Sequence, residues 1–208
     1  MIGLPTFPDL ASLASVVRTC ERCGLHRGRT NAVPGEGSPT ARVVFIGEGP
    51  GFHEDRLGRP FVGQAGQLLD EMIHGIDMRR ADVFIANVLK CRPPNNRDPL
   101  PDEAEACRPY LEQQLELINP DLVVLLGRHA LNAFFPEARI SRARGVARRL
   151  NGRVYLPVYH PAAALRQLRL RDVLAQDFQM IPKLLADATA VEPDPPPPPD
   201  TQQLSFFA

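Results

Sequence analysis

At 208 residues, 44% hydrophobic and formally neutral at pH 7, the chain can bury one full core and has no need of a second domain. No apolar run approaches the ~18 residues of a membrane span, and the opening MIGLPTFPDLASLA lacks the basic flank and apolar stretch of a secretory signal. These features exclude a membrane-spanning helix and lead to the expectation of a cytoplasmic protein. Zero net charge argues against a nucleic-acid partner only until the distribution is read. Arg139, Arg142, Arg144, Arg148, Arg149 and Arg153 crowd one segment, Arg166, Arg169 and Arg171 another, while Asp102, Glu103, Glu105, Glu112, Glu116 and Asp121 gather on and just beyond one predicted helix. A neutral chain can therefore still present one basic face.

In chain order, the patterning predicts an amphipathic helix over 10–17, a strand over 43–47 and a helix over 64–73. A strand over 83–88, a helix over 101–118 with Pro101 suited to its first turn, and a strand over 122–127 follow. A helix over 128–134, a strand over 154–158 and a last helix over 173–185 complete the series. The four strands are continuous β-branched runs, as expected for parallel strands buried on both faces. The alternation implies an α/β fold, a three-layer α/β/α sandwich around a four-stranded parallel central sheet, with 173–185 on one face and 10–17 on the other. In such sheets the ligand sits beyond the carboxyl ends of the strands. Each unusual segment falls there: the loop after 43–47, Asn87, Gly127 and His160. That convergence carries more weight than any of them alone, since a lone Asn or His at a strand end is usually structural.

The first of these segments, GEGPGFHEDRLGRPFVGQAGQLL from Gly47 to Leu69, is longer and richer in Gly and Pro than a plain connection requires, so it reads as a binding loop. Four cysteines, Cys20, Cys23, Cys91 and Cys107, form a close pair and two distant singles. In a reducing compartment they point to a metal centre that staples the N-terminus to the middle of the fold. Spacing alone leaves tetrahedral zinc and an iron-sulfur cluster both open, with zinc ahead. A zinc hydrolase would need an open coordination position, which four thiolates do not leave.

The order GEGPG, an Asp/Glu pair, GRPFVGQAGQLL, then LKCRPPNNRDP resembles the family 4 uracil-DNA glycosylases, the iron-sulfur type of bacteria and archaea. The resemblance implies a uracil-DNA-glycosylase-like fold and a DNA repair enzyme that hydrolyses the N-glycosidic bond of deoxyuridine, releases uracil and leaves an abasic site. It implies a structural 4Fe-4S cluster on Cys20, Cys23, Cys91 and Cys107 that orders the loop from Arg92 to Pro101, with zinc as the alternative. Asn87 is implied as the reader of the uracil edge, Phe61 as the aromatic on which the flipped base stacks, and His160 as the stabiliser of the leaving base. Glu48 is implied as a stabiliser of the cationic sugar or a holder of water. Glu54 occupies the space a thymine methyl would need, and Gly49 and Gly51 line the substrate. Where the best-known uracil glycosylases carry a water-orienting aspartate, Gly49 aligns. The family's bulky pair after the histidine is replaced by Ala162, Ala163 and Ala164, which shifts the expected wedge to Leu165, with Arg166 on a phosphate. A related branch traps DNA through a histidine in a KRRIH-type insertion. RPPNNRDP lacks it, so a monofunctional enzyme without lyase activity is expected, acting as a monomer near the nucleoid. The competing reading is a non-catalytic, metal-stabilised nucleic-acid-binding module.

After Ala190 the composition breaks into a proline spacer, which divides the chain into a 1–190 domain and a 191–208 tail. The tail ends in Gln203, Leu204, Ser205, Phe206 and Phe207, similar to the bacterial sliding-clamp-binding pentapeptide. Leu204, Phe206 and Phe207 would fill an apolar pocket and Gln203 would make the polar contact.

Overall fold

A computed structural model describes residues 5–187 and Val191. Its centre is a sheet of six strands in the order β1-β3-β2-β4-β6-β5. The four expected strands, β2 (Val43–Gly47), β3 (Phe84–Asn87), β4 (Leu122–Leu126) and β6 (Arg153–Val158), are mutually parallel. Two short antiparallel edges, β1 (Glu36–Gly37) and β5 (Arg148–Leu150), correct the expectation of four strands. Neither edge carries an apolar run, so each exists through pairing with a neighbour rather than through its own pattern. The Asn151-Gly152 turn, with φ of 51° and 76°, is a hairpin signal that could have disclosed β5.

Period-two alternation divides the sheet's side chains between two cores. Val43, Phe45, Val124, Leu126, Leu156 and Val158 face one side, against Leu69 and Ile73 of α3 (Gln64–His74), Leu174 and Phe178 of α8 (Arg169–Phe178) and Ile181 of α9 (Met180–Ala186). Val44, Ile46, Val123, Leu125 and Tyr155 face the other, against Leu111 and Leu115 of α4 (Pro101–Ile118) and Leu131 of α5 (Gly127–Phe134). Val191, the first residue assigned to the tail, also packs in the first core.

Two helices depart from expectation. The last one is split at Gln179, because Pro182 cannot donate a backbone bond and its ring would strike the carbonyl of residue 178. The first, α1 (Leu10–Thr19, capped by Asp9 on the amide of Ser12 at 2.7 Å), does not cover the sheet. It lies outside the three layers, its Leu13 and Val17 packed with Leu25, Leu89, Tyr110 and the cysteines. The basic face is also smaller than the composition implies, since Arg144 is bound through Nε at 2.8 Å to the buried Asp177.

Candidate active site

The chain runs from β2 through α3 to β3 on one side, then through α4 to β4 on the other. The carboxyl end of β2 is therefore a switch point where connections diverge and leave a crevice. A cavity of about 210 Å³ opens there, lined among others by Glu48, Gly49, Gly51, Glu54, Phe61, Asn87 and His160. All seven cavity residues expected from sequence are brought together. The volume is below the ~300–1,000 Å³ of drug-sized ligand sites, which suits a single heterocycle. A larger cavity of about 910 Å³ lies between α4, α5 and β6, but none of the seven residues expected from sequence lines it, and its charges, Glu112 and Glu116 against Arg108 and Arg153, balance.

Asn87 ends β3 at 2% exposure, and its Oδ1 is buried with no hydrogen-bond partner, an arrangement that costs stability unless a ligand supplies the donor. Phe61 packs at its side, held in a left-handed backbone with φ of 51°, unusual for a bulky residue. The local structure enforces this. Arg80 donates to the carbonyls of Pro60 (2.6 Å) and Phe61 (3.3 Å) and is itself fixed by Asp70 at 2.8 Å. Two glycines let the parts approach. A Cβ on Gly47 would lie 2.5 Å from Asn87 Oδ1 and 2.6 Å from the Phe61 ring, and one on Gly66 would lie 1.9 Å from the Phe61 carbonyl oxygen.

Glu54 joins the two halves of the binding loop. Its Oε1 accepts from the amides of Val62 (2.9 Å) and Gly63 (3.1 Å), and its Oε2 from that of Gly51 (3.1 Å). His160 precedes α7 (Pro161–Arg166), and its Nδ1 accepts from the amide of Ala162 at 3.1 Å, which leaves the proton on Nε2. Its ring stacks near Phe61, centroids 5.6 Å apart, and burial pushes its pKa down to about 4, with Arg166 acting in the same direction. The imidazole is thus a neutral donor at physiological pH. Leu165 and Arg166 close α7 outside the cavity lining. Leu165 is 42% exposed, but Leu168 just beyond it is 76% exposed and was not singled out from sequence.

The sequence reading also missed Asn96 and Arg97 in the lining, and His129 behind Glu48, while Ala162, read there only as part of the replaced wedge, lines the cavity too. His129 Nε2 lies 3.7 Å from Glu48 Oε2 and 3.2 Å from Asp98 Oδ1, without a directed hydrogen bond to either. Burial pushes the Glu48 carboxyl up, and His129 pulls it partly back. Three residues 50 and 31 positions apart leave no local signal of such a contact.

The four cysteines converge on a second, small cavity. Cys107 accepts from the Lys90 amide (3.5 Å), Cys20 from the Arg22 amide (3.4 Å) and Cys91 from Arg29 Nη1 (3.3 Å). Lys90, 1% exposed, ties this cavity to the first, its ammonium donating to the Asn87 carbonyl at 2.8 Å and to Gln114 Oε1 at 2.6 Å.

A family model described as "Uracil DNA glycosylase superfamily" matches residues 34–186. The chain is similar to proteins named "Type-4 uracil-DNA glycosylase" from three sources. The Sulfurisphaera tokodaii relative is 46% identical, covering 85% of this chain and 84% of its own length. The Archaeoglobus fulgidus relative is 46% identical, covering 84% and 94%. The Thermotoga maritima relative is 47% identical, covering 78% and 88%.

Proposed function

The chain belongs to the type-4 uracil-DNA glycosylases of the uracil DNA glycosylase superfamily, and from that premise we propose how its own residues excise uracil from DNA. The observation that carries the reading is the orphaned acceptor of Asn87 in a base-sized cavity. An extruded uracil offers its ring N–H to Oδ1 and takes a hydrogen bond from the Asn87 amide on a carbonyl oxygen, whereas cytosine presents the reverse pattern and is rejected. Phe61 is the shelf for the base, a contact worth ~1–3 kcal/mol. As the bond between C1′ and N1 breaks, its electron pair goes to the base, and His160 Nε2–H stabilises the charge arriving on the uracil oxygen. One such donor is worth ~2.7–4 kcal/mol. Glu48 faces the cationic sugar and holds the water whose oxygen bonds to C1′. Its proton passes to Glu48 or to solvent. Glu54, with both oxygens occupied by backbone amides, keeps a fixed wall where a thymine methyl would intrude.

The enzyme is monofunctional in this reading. A lyase step through a side-chain amine needs a lysine at the cavity, and neither lysine lines it: Lys90 is buried on Asn87 and Gln114, and Lys183 lies on α9. One chain supplies every group, so a monomer suffices, at work with the chromosome in the cytoplasm. No described helix is long and apolar enough to cross a membrane.

Cys20, Cys23, Cys91 and Cys107 would hold a 4Fe-4S cluster, which supplies structure rather than redox chemistry. Three observations support the fit. Burial pushes the Cys107 thiol up to about 12 and raises Cys23 and Cys91, so only a strongly electropositive centre would keep thiolates there. N–H donors face three of the sulfurs. Among the described residues, only Glu48, Asp98 and His129 bring three metal-ligating atoms within 4.8 Å of one another, so the sulfurs are spread more widely than the ~3.8 Å edge implied by a tetrahedron of 2.3 Å Zn–S bonds.

Incubation with a uracil-containing oligonucleotide followed by alkali tests the activity. Strand breakage at uracil is expected, and an intact strand refutes it. The clamp-binding peptide Gln203 to Phe207 lies outside the described residues. Its deletion should abolish capture by a sliding clamp while uracil release continues.

A further inference from the structure

We propose that Phe52, Arg56 and Arg92 form a phosphate clamp for the DNA strand beside the cavity mouth, with Phe52 as the pedestal that aims both guanidiniums. The inference rests on the glycosylase reading above and adds a DNA-holding surface to it. Phe52 opens α2 (Phe52–Leu57), directly after the cavity-lining Gly51, yet it is 48% exposed, so core packing does not account for an aromatic there. The guanidinium of Arg92 lies 5.2 Å and that of Arg56 5.7 Å from the Phe52 ring centre, both within cation–π reach. Arg92 is held a second time, through Nε to Asn96 Oδ1 at 2.7 Å, and Asn96 itself lines the cavity. Successive left-handed residues, Asn95 (φ 54°) and Asn96 (φ 53°), fold the Pro93 to Arg97 loop back so that this contact forms.

Charge separates this pair from its neighbours. On the surrounding loops Arg59 is neutralised by Glu36, Arg97 by Glu103 and Arg128 by Asp98. Neither Arg56 nor Arg92 has a carboxylate partner among the described residues. Two uncompensated cations held against one ring concentrate positive charge there, and a bound anion neutralises it. At the rim of a cavity that takes a base out of DNA, the anion that chemistry supplies is the backbone phosphate next to the extruded nucleotide. Because the ring restricts both side chains beforehand, less rotamer freedom is lost on binding.

The test is binding, across a salt series, of a fluorescent oligonucleotide carrying one 2′-fluoro-deoxyuridine, whose electron-withdrawing fluorine disfavours the cationic sugar and so keeps the extruded nucleotide uncleaved. Arg56→Gln and Arg92→Gln should each weaken binding several-fold and lower the slope of log affinity against log salt by ~0.7–0.9, the increment for one phosphate contact. Phe52→Ala should weaken binding and Phe52→Tyr restore it, while Arg42→Gln, paired with Asp121 at the far end of β2, keeps the wild-type slope. Arg56 is exposed on α2, so its variant reads the clamp even where Arg92→Gln disturbs the adjoining Cys91. Unchanged slopes in both arginine variants, or wild-type binding by Phe52→Ala, overturn the clamp. A wild-type protein that leaves uracil in place overturns the glycosylase reading instead, and the salt series still reads the clamp.

Discussion

Gly47→Ala is the most direct perturbation of the cavity, because it adds one carbon where two functional side chains meet. Gly47 has no left-handed φ, so the substitution introduces crowding without backbone strain. The new Cβ would lie 2.5 Å from Asn87 Oδ1 and 2.6 and 2.7 Å from Phe61 ring carbons, so each must retreat by roughly an ångström to reach van der Waals distance. Phe61 is hemmed in by the Arg80 contacts and Asn87 by the sheet. Overpacking of this kind costs ~1–3 kcal/mol, which lowers the melting temperature by about 2–12 °C in a domain of this size. The effect on catalysis should be larger, since an ångström of misplacement at a reacting centre can cost ~100-fold. Single-turnover uracil release measured beside thermal melting separates the two effects. The control for stability is Gly49→Ala, whose Cβ would meet Leu89 at an ordinary 3.4 Å. If Gly47→Ala releases uracil at the wild-type rate and melts with the wild type, Asn87 and Phe61 do not act from the positions described.

Glu54→Gln should destabilise by ~1–3 kcal/mol, because its NH₂ must face either the Gly51 amide or the Val62 and Gly63 pair, and a melting temperature equal to the wild type would contradict that. The His160 pKa of about 4 lies below the ordinary 6.5, so the unfolded chain takes up the proton first. Its contribution to stability is then complete above about pH 6.5 and shrinks as pH falls toward 4, by at most about 3 kcal/mol. Denaturant titrations across that window should show wild type losing this stability relative to His160→Gln as pH falls, and a difference that stays constant would contradict the depressed pKa. The same depressed pKa predicts no inflection near pH 6.5 in the rate of uracil release, and an inflection there that disappears in His160→Gln would contradict a neutral imidazole. Cys107→Ser should bleach visible absorbance and lower the melting temperature. Uracil release should fall with it, since Lys90 links the Cys107 sulfur to the Asn87 carbonyl, and a colourless variant with full stability would remove the structural role.

Strands buried on both faces must be apolar at every position, so β2, β3, β4 and β6 could be read from runs such as Val43 to Ile46, and the residues at their carboxyl ends could be nominated by topology alone. Cysteine spacing and the Gly-rich loop carry local chemistry, and they too were legible. The rest depended on contacts between distant segments. Edges β1 and β5 have no pattern of their own and form because β3 and β6 offer unpaired backbone. The cysteine cavity and Tyr110 draw α1 onto α4 and away from the sheet, and its amphipathic pattern cannot say which apolar surface it meets. His129 behind Glu48, Lys90 on Gln114 and Arg92 on Phe52 join residues whose separation along the chain bears no relation to their separation in space. Periodicity reports which face of an element is buried, whereas the partner on that face is decided only when the chain closes on itself.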